Sequence, residues 1–262
     1  MTIESYLSLA LDIADLADRI TMGRFRAIDL LVSTKPDDTP VTEADHAVEE
    51  AIREHLAIHA REHAVLGEEF GYDESDDSEF RWIVDPIDGT KNYLRGVPIW
   101  ATLIGLEQAG RLVVGVVSAP ALHSRWWAGV GLGAFRDGEP IRVSEVERIE
   151  DAHISFSWDT QERFEAGGFD ERVISLARRC WRSRSIGDFW QHVLVAEGAF
   201  DAAAEPAISP WDVAALQPII EEAGGRFSDL TGAARIDGGS VVCTNGRLHE
   251  AVLSALGASL AS

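Results

Sequence analysis

The densest group of reactive side chains lies between Trp82 and Thr90, in the sequence WIVDPIDGT. An apolar strand ends there in two carboxylates, Asp85 and Asp88, which a proline turn separates and which Gly89 and Thr90 follow. Two acids this close repel each other at neutral pH, and a shared proton or a bound cation relieves the repulsion. Because carboxylate and carbonyl oxygens are hard ligands, and no His or Cys accompanies them, the run favours Mg²⁺ over zinc.

Two distant segments carry acids that would complete such a site. Glu68 and Glu69 follow a short apolar stretch that is typical of a strand. Asp212 lies in the first turn of a predicted helix that has Pro210 at its start and Gly224 after its end. We therefore expect the side chain of Asp212 to point into the same pocket as the two acids of the central run.

The motifs GEE, WIVDPIDGTKNY and WDVAA, in this order and at these separations, resemble the inositol monophosphatase family of Mg²⁺-dependent, lithium-sensitive phosphatases. The likeness extends over essentially the whole chain, including VTEAD in the early region and EAGG after the last acid. Within the family, the segments RGVPIWATLIGL, SRWWAGVGLGAF and IGDFWQHVLVAEGAFDAAAEP are most similar to bacterial histidinol-phosphate phosphatases. The resemblance implies an α/β fold, an αβαβα sandwich, and hydrolysis of a phosphate monoester.

The resemblance also implies a set of metal ligands. Asp85 would bridge two ions, Glu68 and the carbonyl of Ile87 would complete the first, and Asp88 and Asp212 would complete the second. The family places a third, weaker ion near Glu68. We therefore expect two or three Mg²⁺ per site, with Mn²⁺ able to replace them, and direct hydrolysis without a covalent phosphoenzyme.

The residues around the acids have predicted roles toward the phosphate and the attacking water. Glycine at position 89 lets the backbone approach the phosphate, and the N–H groups of Gly89 and Thr90 would bind its oxygens. The Thr90 hydroxyl, paired with Asp45 and Glu69, is predicted to orient the water. Lys35, in the loop before VTEAD, is predicted to approach the pocket.

Substrate choice is assigned to the second half of the chain. Glu205 lies seven residues before Asp212, at the position from which the family reaches the organic part of the ester. Arg184, Asp188 and Asn245 are further candidates, beside the substrate contacts expected of Asp88 and Asp212. Two acids, Asp188 and Glu205, would complement the amine and imidazole of histidinol phosphate better than a neutral cyclitol.

Alternatives stay open at this point. Asp188 could be an ordinary helix N-terminal residue. The substrate could be inositol-1-phosphate or a related sugar phosphate. A non-catalytic phosphate-binding protein with the same fold is a hypothesis of a different class, and phosphate release that EDTA abolishes would separate it from an enzyme.

Composition sets the bounds for these hypotheses. The chain has 262 residues, 46% of them hydrophobic, which is enough for a full core. We expect one compact unit, with residues 1–150 carrying GEE and DPIDGT and residues 151–262 carrying the WD motif and the specificity residues. Neither a long apolar segment nor a basic N-terminus is present, and the two cysteines need not pair, so a cytoplasmic protein is predicted.

Charge narrows the possible partners. The 23 basic and 44 acidic residues give a net charge of −21, which argues against nucleic acid as a partner. A phosphate ester is the expected ligand, and bound cations would have to reverse the local potential to attract it. The family suggests a homodimer.

Periodicity predicts the elements that position these residues. Helices are expected at Ser5 to Phe25, Thr42 to Leu56, Phe169 to Cys180, Asp188 to Ala199, Trp211 to Ala223 and Leu248 to Leu256. Strands are expected at Ala64 to Leu66, Trp82 to Asp85, Trp100 to Leu106, Leu112 to Ser118 and Arg125 to Gly129, with a hairpin turn at Asp137-Gly138. Thr42 and Asp45 form an approximate capping box at the start of the second helix.

Three other features favour structural roles. The series His55, His59 and His63 lacks an HExxH acid, so exposure at a helix end is favoured over metal binding. Trp126-Trp127 is either a substrate platform or one core and one surface position of a strand, and the second is favoured. The acidic run Asp73 to Glu79 lacks the spacing of a calcium loop and is interpreted as a mobile surface segment.

Overall fold

The computed structural model describes residues 2–36, 38–72, 78–157 and 169–257. Its helices, in chain order, are α1 Ile3–Arg24, α2 Glu43–His59, α3 Thr90–Leu94, α4 Phe169–Ala177, α5 Asp188–Ala196, α6 Pro210–Val213, α7 Leu216–Glu222 and α8 His249–Leu256. Residues 73–77 of the acidic run lie outside the described residues. No helix in these four ranges is both long and apolar enough to cross a membrane.

The strands form a small hairpin and two larger sheets. In chain order they are β1 Val32–Thr34, β2 Pro40–Thr42, β3 Ala64–Gly67, β4 Gly71–Tyr72, β5 Phe80–Asp88, β6 Ala101–Gln108, β7 Arg111–Ala119, β8 Ser124–Gly129, β9 Gly133–Arg136, β10 Glu139–Pro140, β11 His153–Phe156, β12 Arg182–Arg184, β13 Ala202–Glu205, β14 Arg226–Ser228 and β15 Val241–Thr244. Strands β1 and β2 pair as the hairpin. Within the described ranges, the larger sheet has the order β10-β9-β8-β7-β6-β5-β3-β4 and the smaller has β12-β11-β13-β15-β14.

The two sheets alternate with helices in five layers. Helices α1 and α2 pack on one face of the larger sheet. Helices α5 and α7 lie between the two sheets, and α4 and α8 cover the far face of the smaller sheet. Successive residues on β6 show the layering, because Leu103 faces the central helices and Ile104 faces the outer pair. The αβαβα sandwich expected from the sequence is confirmed.

Helix starts follow the predicted capping chemistry. The Thr42 hydroxyl accepts from the backbone N–H groups of Ala44 and Asp45, and the Asp45 carboxylate accepts from the N–H of Thr42. This reciprocal box satisfies donors that the first turn of α2 leaves unpaired. Ser209 and Asp212 form a second capping box at α6, where Pro210 occupies the first helical position.

The single helix expected at Trp211 to Ala223 is wrong, because the segment forms two helices, α6 and α7. Pro218 explains the interruption. Proline has no N–H, so the i→i−4 hydrogen bond from residue 218 to the carbonyl of Ala214 cannot form. The chain leaves regular helix at Ala214 and Ala215, where it lies against the larger sheet.

The histidine series and the tryptophan pair are mostly structural. His59 is exposed at the end of α2, as expected, but His63 lies beyond the helix and is half-buried, with Trp82 Nε1 donating to its Nδ1 at 3.1 Å. Exposure was therefore the wrong prediction for His63. Trp126 is 1% exposed in the core, while Trp127 is partly exposed and stacks on Phe135.

Candidate active site

A bulge in β5 brings its two acids to one side of the larger sheet. In the pairing with β6, Asp85 lies opposite Leu103 and Asp88 lies opposite Ala101, so β5 has one extra residue between these pairs. Residues three apart on a regular strand point to opposite faces, and an extra residue reverses that relationship. Pro86 is tolerated there because a bulge does not need its missing N–H.

The bulged acids meet the acid of helix α6. Asp85, Asp88 and Asp212 each have a carboxylate oxygen within 4.8 Å of the others, and within the four described ranges no other three acidic, His or Cys side chains converge as closely. Asp85 is only 2% exposed. The expected convergence of these three acids is therefore seen in the structure.

Each of the three acids is held by a backbone N–H group. Asp85 Oδ1 accepts from Ile87 N at 3.0 Å, and Asp88 Oδ2 accepts from Phe189 N at 2.6 Å. Asp212 Oδ2 accepts from Ser209 N at 2.6 Å, within its capping box. Because every donor is a backbone N–H group, the folded backbone fixes the directions of the three carboxylates.

The GEE turn joins the cluster through strand β3, which runs parallel to β5 and ends at the same edge of the sheet. Glu68 N donates to Val84 O at 3.2 Å, which ties the turn to β5. Lys35 Nζ lies 2.7 Å from Glu68 Oε1 and 2.8 Å from Glu69 Oε1. The lysine therefore lies beside these two acids.

The electrostatics of the cluster favour a cation. Burial raises the pKa of Asp85 well above its usual value, and the charges of Glu68, Asp88 and Asp212 raise it further. Burial likewise raises the pKa of Asp88, with additional repulsion from Asp188 and Asp212. An all-oxygen set of mutually repelling carboxylates is the donor chemistry that a hard divalent ion satisfies.

Asp45 lies close enough for Glu68 to raise its pKa, although burial is the main cause of its rise to about 6. Its Oδ2 accepts from the N–H and the hydroxyl of Thr42, at 2.8 and 2.6 Å. Its buried Oδ1 has no hydrogen-bond partner among the described residues. A buried oxygen in this condition needs a donor or a cation.

The Thr90 hydroxyl differs from the expected pairing with Asp45. It donates to the carbonyl of Ile87 at 3.0 Å. Thr90 is the first residue of the short helix α3, so this bond closes the turn that starts the helix. The family resemblance assigns the same carbonyl to a metal ion.

Gly89 is required at its position by backbone and space. Its φ of 84° lies in the left-handed region that favours glycine. A Cβ atom there would lie 3.0 Å from the carbonyl oxygen of Ile99 and 3.3 Å from Asp188 Oδ2. A side chain at position 89 would therefore push against the backbone of Ile99 and the carboxylate of Asp188.

Asp188 and Glu205 flank the cluster. Asp188 begins α5 with a left-handed φ of 52°, an uncommon conformation for a residue other than glycine, and Asn92 Nδ2 donates to its Oδ2 at 3.0 Å. Glu205, at the end of β13, accepts from Gln191 Nε2 at 3.0 Å and lies 3.2 Å from His192 Nε2. Both acids raise the pKa of Asp88, after burial.

Comparison with known proteins agrees with this arrangement. The model of the inositol monophosphatase family matches residues 3–261. The chain belongs to the inositol monophosphatase family. It is 51% identical to a histidinol-phosphatase of Mycobacterium tuberculosis over 96% of this chain and 98% of that protein, and 48% identical to one of Streptomyces coelicolor over 95% and 96%. The structure of an inositol monophosphatase from Anabaena (Nostoc) is similar with a TM-score of 0.86 at 30% identity, over 98% of this chain and 96% of that one.

Two candidates of this family member do not join the cluster. Arg184 lies exposed on the edge strand β12 and its Nη1 donates to the carbonyl of Ser183 at 2.8 Å. Asn245 Nδ2 donates to Ser144 Oγ and to the carbonyl of Val146, so it fastens the connection between the sheets. The described contacts of both side chains are with neighbouring protein groups, and a contact of either with the substrate stays a prediction.

Sequence reasoning missed several partners in the site. Asn92 orients Asp188, Gln191 and His192 hold Glu205, and Glu49 lies behind the GEE turn. Asn92 lies within the quoted motif WIVDPIDGTKNY, and a polar residue one turn after Gly89 was the available signal. The others required knowledge of which elements pack together.

Proposed function

We propose that this protein is a Mg²⁺-dependent phosphatase that converts L-histidinol phosphate and water to L-histidinol and phosphate in histidine biosynthesis. The observation that carries the proposal is the convergence of Asp85, Asp88 and Asp212, with the acids Asp188 and Glu205 beside them. The names of the relatives from Mycobacterium tuberculosis and Streptomyces coelicolor support the choice of substrate.

The ion would be held by Glu68, Asp85, Asp88, Asp212 and the carbonyl of Ile87. Their oxygens, without nitrogen or sulfur, suit Mg²⁺, and Mn²⁺ would be able to replace it. Two or three ions per site are expected from the family. When bound, Mg²⁺ polarises the phosphoryl oxygens and lowers the pKa of water.

The other residues of the site would position the reactants. Backbone N–H groups at Gly89 and Thr90 would face the phosphate where α3 begins, a geometry that favours anions. Asp45, with its unpartnered Oδ1, would accept a hydrogen bond from the attacking water. Lys35 would hold Glu68 and Glu69 in place through its two short ion pairs.

The acids Asp188 and Glu205 would recognise the cationic part of the ester. A carboxylate accepts a charge-assisted hydrogen bond from an ammonium or imidazolium group, and such bonds are about twice as strong as neutral ones. Asn92 keeps Asp188 oriented, and Gln191 keeps Glu205 oriented. A substrate carrying positive charge at its leaving group therefore fits this side of the pocket best.

A phosphate-release panel tests the proposal. Purified protein would be assayed with histidinol phosphate, inositol-1-phosphate and adenosine bisphosphate, each with Mg²⁺, with Mn²⁺ and with excess EDTA. We expect histidinol phosphate to have the highest kcat/KM and EDTA to abolish release. Activity that persists in EDTA would contradict the metal-dependent mechanism, and absence of release from every ester would favour a phosphate-binding protein.

Inositol-1-phosphate hydrolysis is the second candidate, and the likeness to the Anabaena inositol monophosphatase favours it. A higher kcat/KM for inositol-1-phosphate than for histidinol phosphate in the panel would select it. Both candidates share the metal-binding acids and differ in what Asp188 and Glu205 contact.

We also propose a cytoplasmic location and a homodimer, which cell fractionation and light scattering would test.

A further inference from the structure

Glu49 is a buried acid that no step of the proposed reaction uses. It lies on helix α2 and is 0% exposed, beside the buried apolar residues Val48 and Ile52. A charged side chain is rarely buried this fully unless it is paired and hydrogen-bonded. Its partners therefore indicate what the charge does.

The Glu49 carboxylate binds the back of the GEE turn. Its Oε2 accepts from Glu69 N at 2.8 Å, and its Oε1 accepts from Phe70 N at 3.2 Å. Arg53, one turn later on α2, donates to Glu49 Oε1 from Nε at 2.9 Å and to the carbonyl of Gly71 at 2.6 Å. Glu49 and Arg53 thus hold both sides of the turn that presents Glu68 and Glu69.

Position 67 has no room for a side chain because the Glu49 carboxylate lies against its backbone. A Cβ atom at position 67 would lie 1.9 Å from Glu49 Oε1 and 2.5 Å from its Oε2. Gly67 does not have the positive φ that would otherwise require glycine, so the close approach of Glu49 is the constraint. The first letter of the GEE motif is therefore coupled to an acid eighteen residues earlier in the chain.

We propose that Glu49 is a positioning residue that sets the Glu68-Glu69 turn for cation binding. The inference rests on the proposed function, because it assigns Glu49 to the binding of the same ion. Glu49 does not itself contact the ion. It accepts the N–H of Glu69, and so fixes the backbone from which the two acids project toward Lys35 and Asp85.

Isothermal titration with Mg²⁺ and a phosphate-release assay test this role in the full-length protein. The variant Glu49→Gln keeps the shape of the side chain but removes its charge. Its amide N–H₂ group would replace one carboxylate oxygen and face a backbone N–H donor of the turn. Groups that orient metal ligands typically contribute roughly 10- to 100-fold to metal affinity, so we expect a Kd for Mg²⁺ weakened by that factor. The kcat at saturating Mg²⁺ should change much less than the Kd.

Gly67→Ala provides a second route to the same result. It leaves Glu49 and Arg53 unchanged but forces the carboxylate away from the turn. We expect it to weaken Mg²⁺ binding as well, so the inference can be tested even if Glu49→Gln does not fold. Glu50→Gln is the matched control, because Glu50 is the exposed neighbour on α2 and should bind Mg²⁺ as the unaltered protein does.

The outcomes separate the inference from the function on which it rests. If the unaltered protein binds Mg²⁺ and releases phosphate, and both variants bind Mg²⁺ equally tightly, the role of Glu49 is refuted while the function stands. If a variant loses kcat at saturating Mg²⁺ with an unchanged Kd, Glu49 does not act through ion binding and the inference is also refuted. An unaltered protein that neither binds Mg²⁺ nor releases phosphate would overturn both.

Discussion

The acids of the site are arranged against their own electrostatic preference. Asp85, Asp88 and Asp212 lie within 4.8 Å of one another, and burial raises the pKa of the first two. Backbone N–H groups hold each carboxylate in place despite the repulsion. This repulsion reduces the stability of the metal-free protein, and a bound cation would relieve it.

Asp88→Asn should separate stability from activity. The asparagine Oδ1 can still accept from Phe189 N, but one repelling charge is gone. We therefore expect a higher Tm in EDTA, by roughly 2–4 °C for each kcal/mol of repulsion removed. Turnover should fall by at least roughly 100-fold, as when an electrostatic group at a reacting centre is removed.

Differential scanning calorimetry in EDTA and in Mg²⁺, with a phosphate-release assay, measures both effects. Exposed Glu50→Gln again serves as the control for the loss of one negative charge. Activity near that of the unaltered protein in Asp88→Asn would refute the assignment of Asp88 as an ion ligand.

Asp188→Asn tests the substrate-recognition role of the second acid group. Asparagine tolerates the left-handed φ of 52°, so the change removes charge with little backbone strain. We expect the KM for histidinol phosphate to rise about 10-fold, the value of one hydrogen bond to a charged group. The KM for inositol-1-phosphate should change much less, and equal changes for both esters would exclude Asp188 from specificity.

Local sequence determines some of these contacts and not others. Asp85 and Asp88 stand in one motif, so their chemistry could be predicted from spacing. The contact of Asn92 with Asp188 joins residues 96 positions apart, and it depends on how α3 and α5 meet. The position of Arg184 on an edge strand could not be predicted for the same reason, since nothing in its local sequence indicates such a strand.

At the scale of elements, two glycines of the larger sheet determine where Asp212 lies. A Cβ atom at Gly115 would be 2.0 Å from the carbonyl oxygen of Ala215, and one at Gly105 would be 2.9 Å from the Cβ of Ala214. The chain between α6 and α7 therefore rests directly on the backbone of β6 and β7. This contact sets the distance from α6 to the bulge in β5.

Gly115→Ala should displace α6 from the sheet. Inserting a methyl group into a packed interface usually destabilises a protein by about 1–3 kcal/mol. We expect the free energy of unfolding, measured with urea, to fall by that amount. Mg²⁺ binding should also weaken, because Asp212 moves away from Asp85. Gly23→Ala is the control, since its added Cβ would meet no atom within 4 Å.

A Gly115→Ala variant with unchanged Mg²⁺ affinity would contradict the view that this contact positions Asp212.

The sequence predicted helix over most of this segment but missed its interruption. Pro218 carried the signal, because its missing N–H affects the carbonyl four residues earlier. The capping box at Thr42 and Asp45 was predicted correctly, since it depends on adjacent residues alone.

At the scale of the whole molecule, the net charge of −21 adds to the repulsion within the site. Screening limits charge interactions to about 8 Å at physiological ionic strength, so the distant acids act mainly on solubility. A substrate anion therefore responds chiefly to charges that line the cleft. The αβαβα layering could be inferred from the family resemblance, whereas the order of strands in each sheet could not.

His249, which packs against the smaller sheet, makes the stability of the protein depend on pH. It is fully buried, with Nε2 3.0 Å from Ser228 Oγ and Nδ1 3.1 Å from Thr244 Oγ1. Burial is the main cause that lowers its pKa from 6.5 to about 4, with a smaller lowering by the charge of Arg226 and an opposing effect of Glu250. The unfolded chain therefore takes up a proton below pH 6.5 that the folded protein refuses, and the stability from His249 falls on acidification.

His249→Gln should remove this pH dependence. We expect the stability advantage of the unaltered protein over the variant to decrease by about 1.4 kcal/mol between pH 7.5 and 5.5. Urea unfolding at each pH, in EDTA, measures the difference and cancels the titration of the metal-binding acids. An advantage that stays constant or grows toward pH 5.5 would show that His249 is not held neutral in the fold.

The backbone bonds to Asp85, Asp88 and Asp212 have a consequence for which ion the protein accepts. Side chains that can rotate adapt their oxygens to ions of different radius, whereas anchored ones keep one spacing. Calcium needs six to eight oxygens at roughly 2.3–2.6 Å, and magnesium needs six at roughly 2.0–2.1 Å in near-octahedral order. Carboxylates that are fixed before an ion binds would therefore favour ions of one size, and ordering them would cost little further conformational entropy.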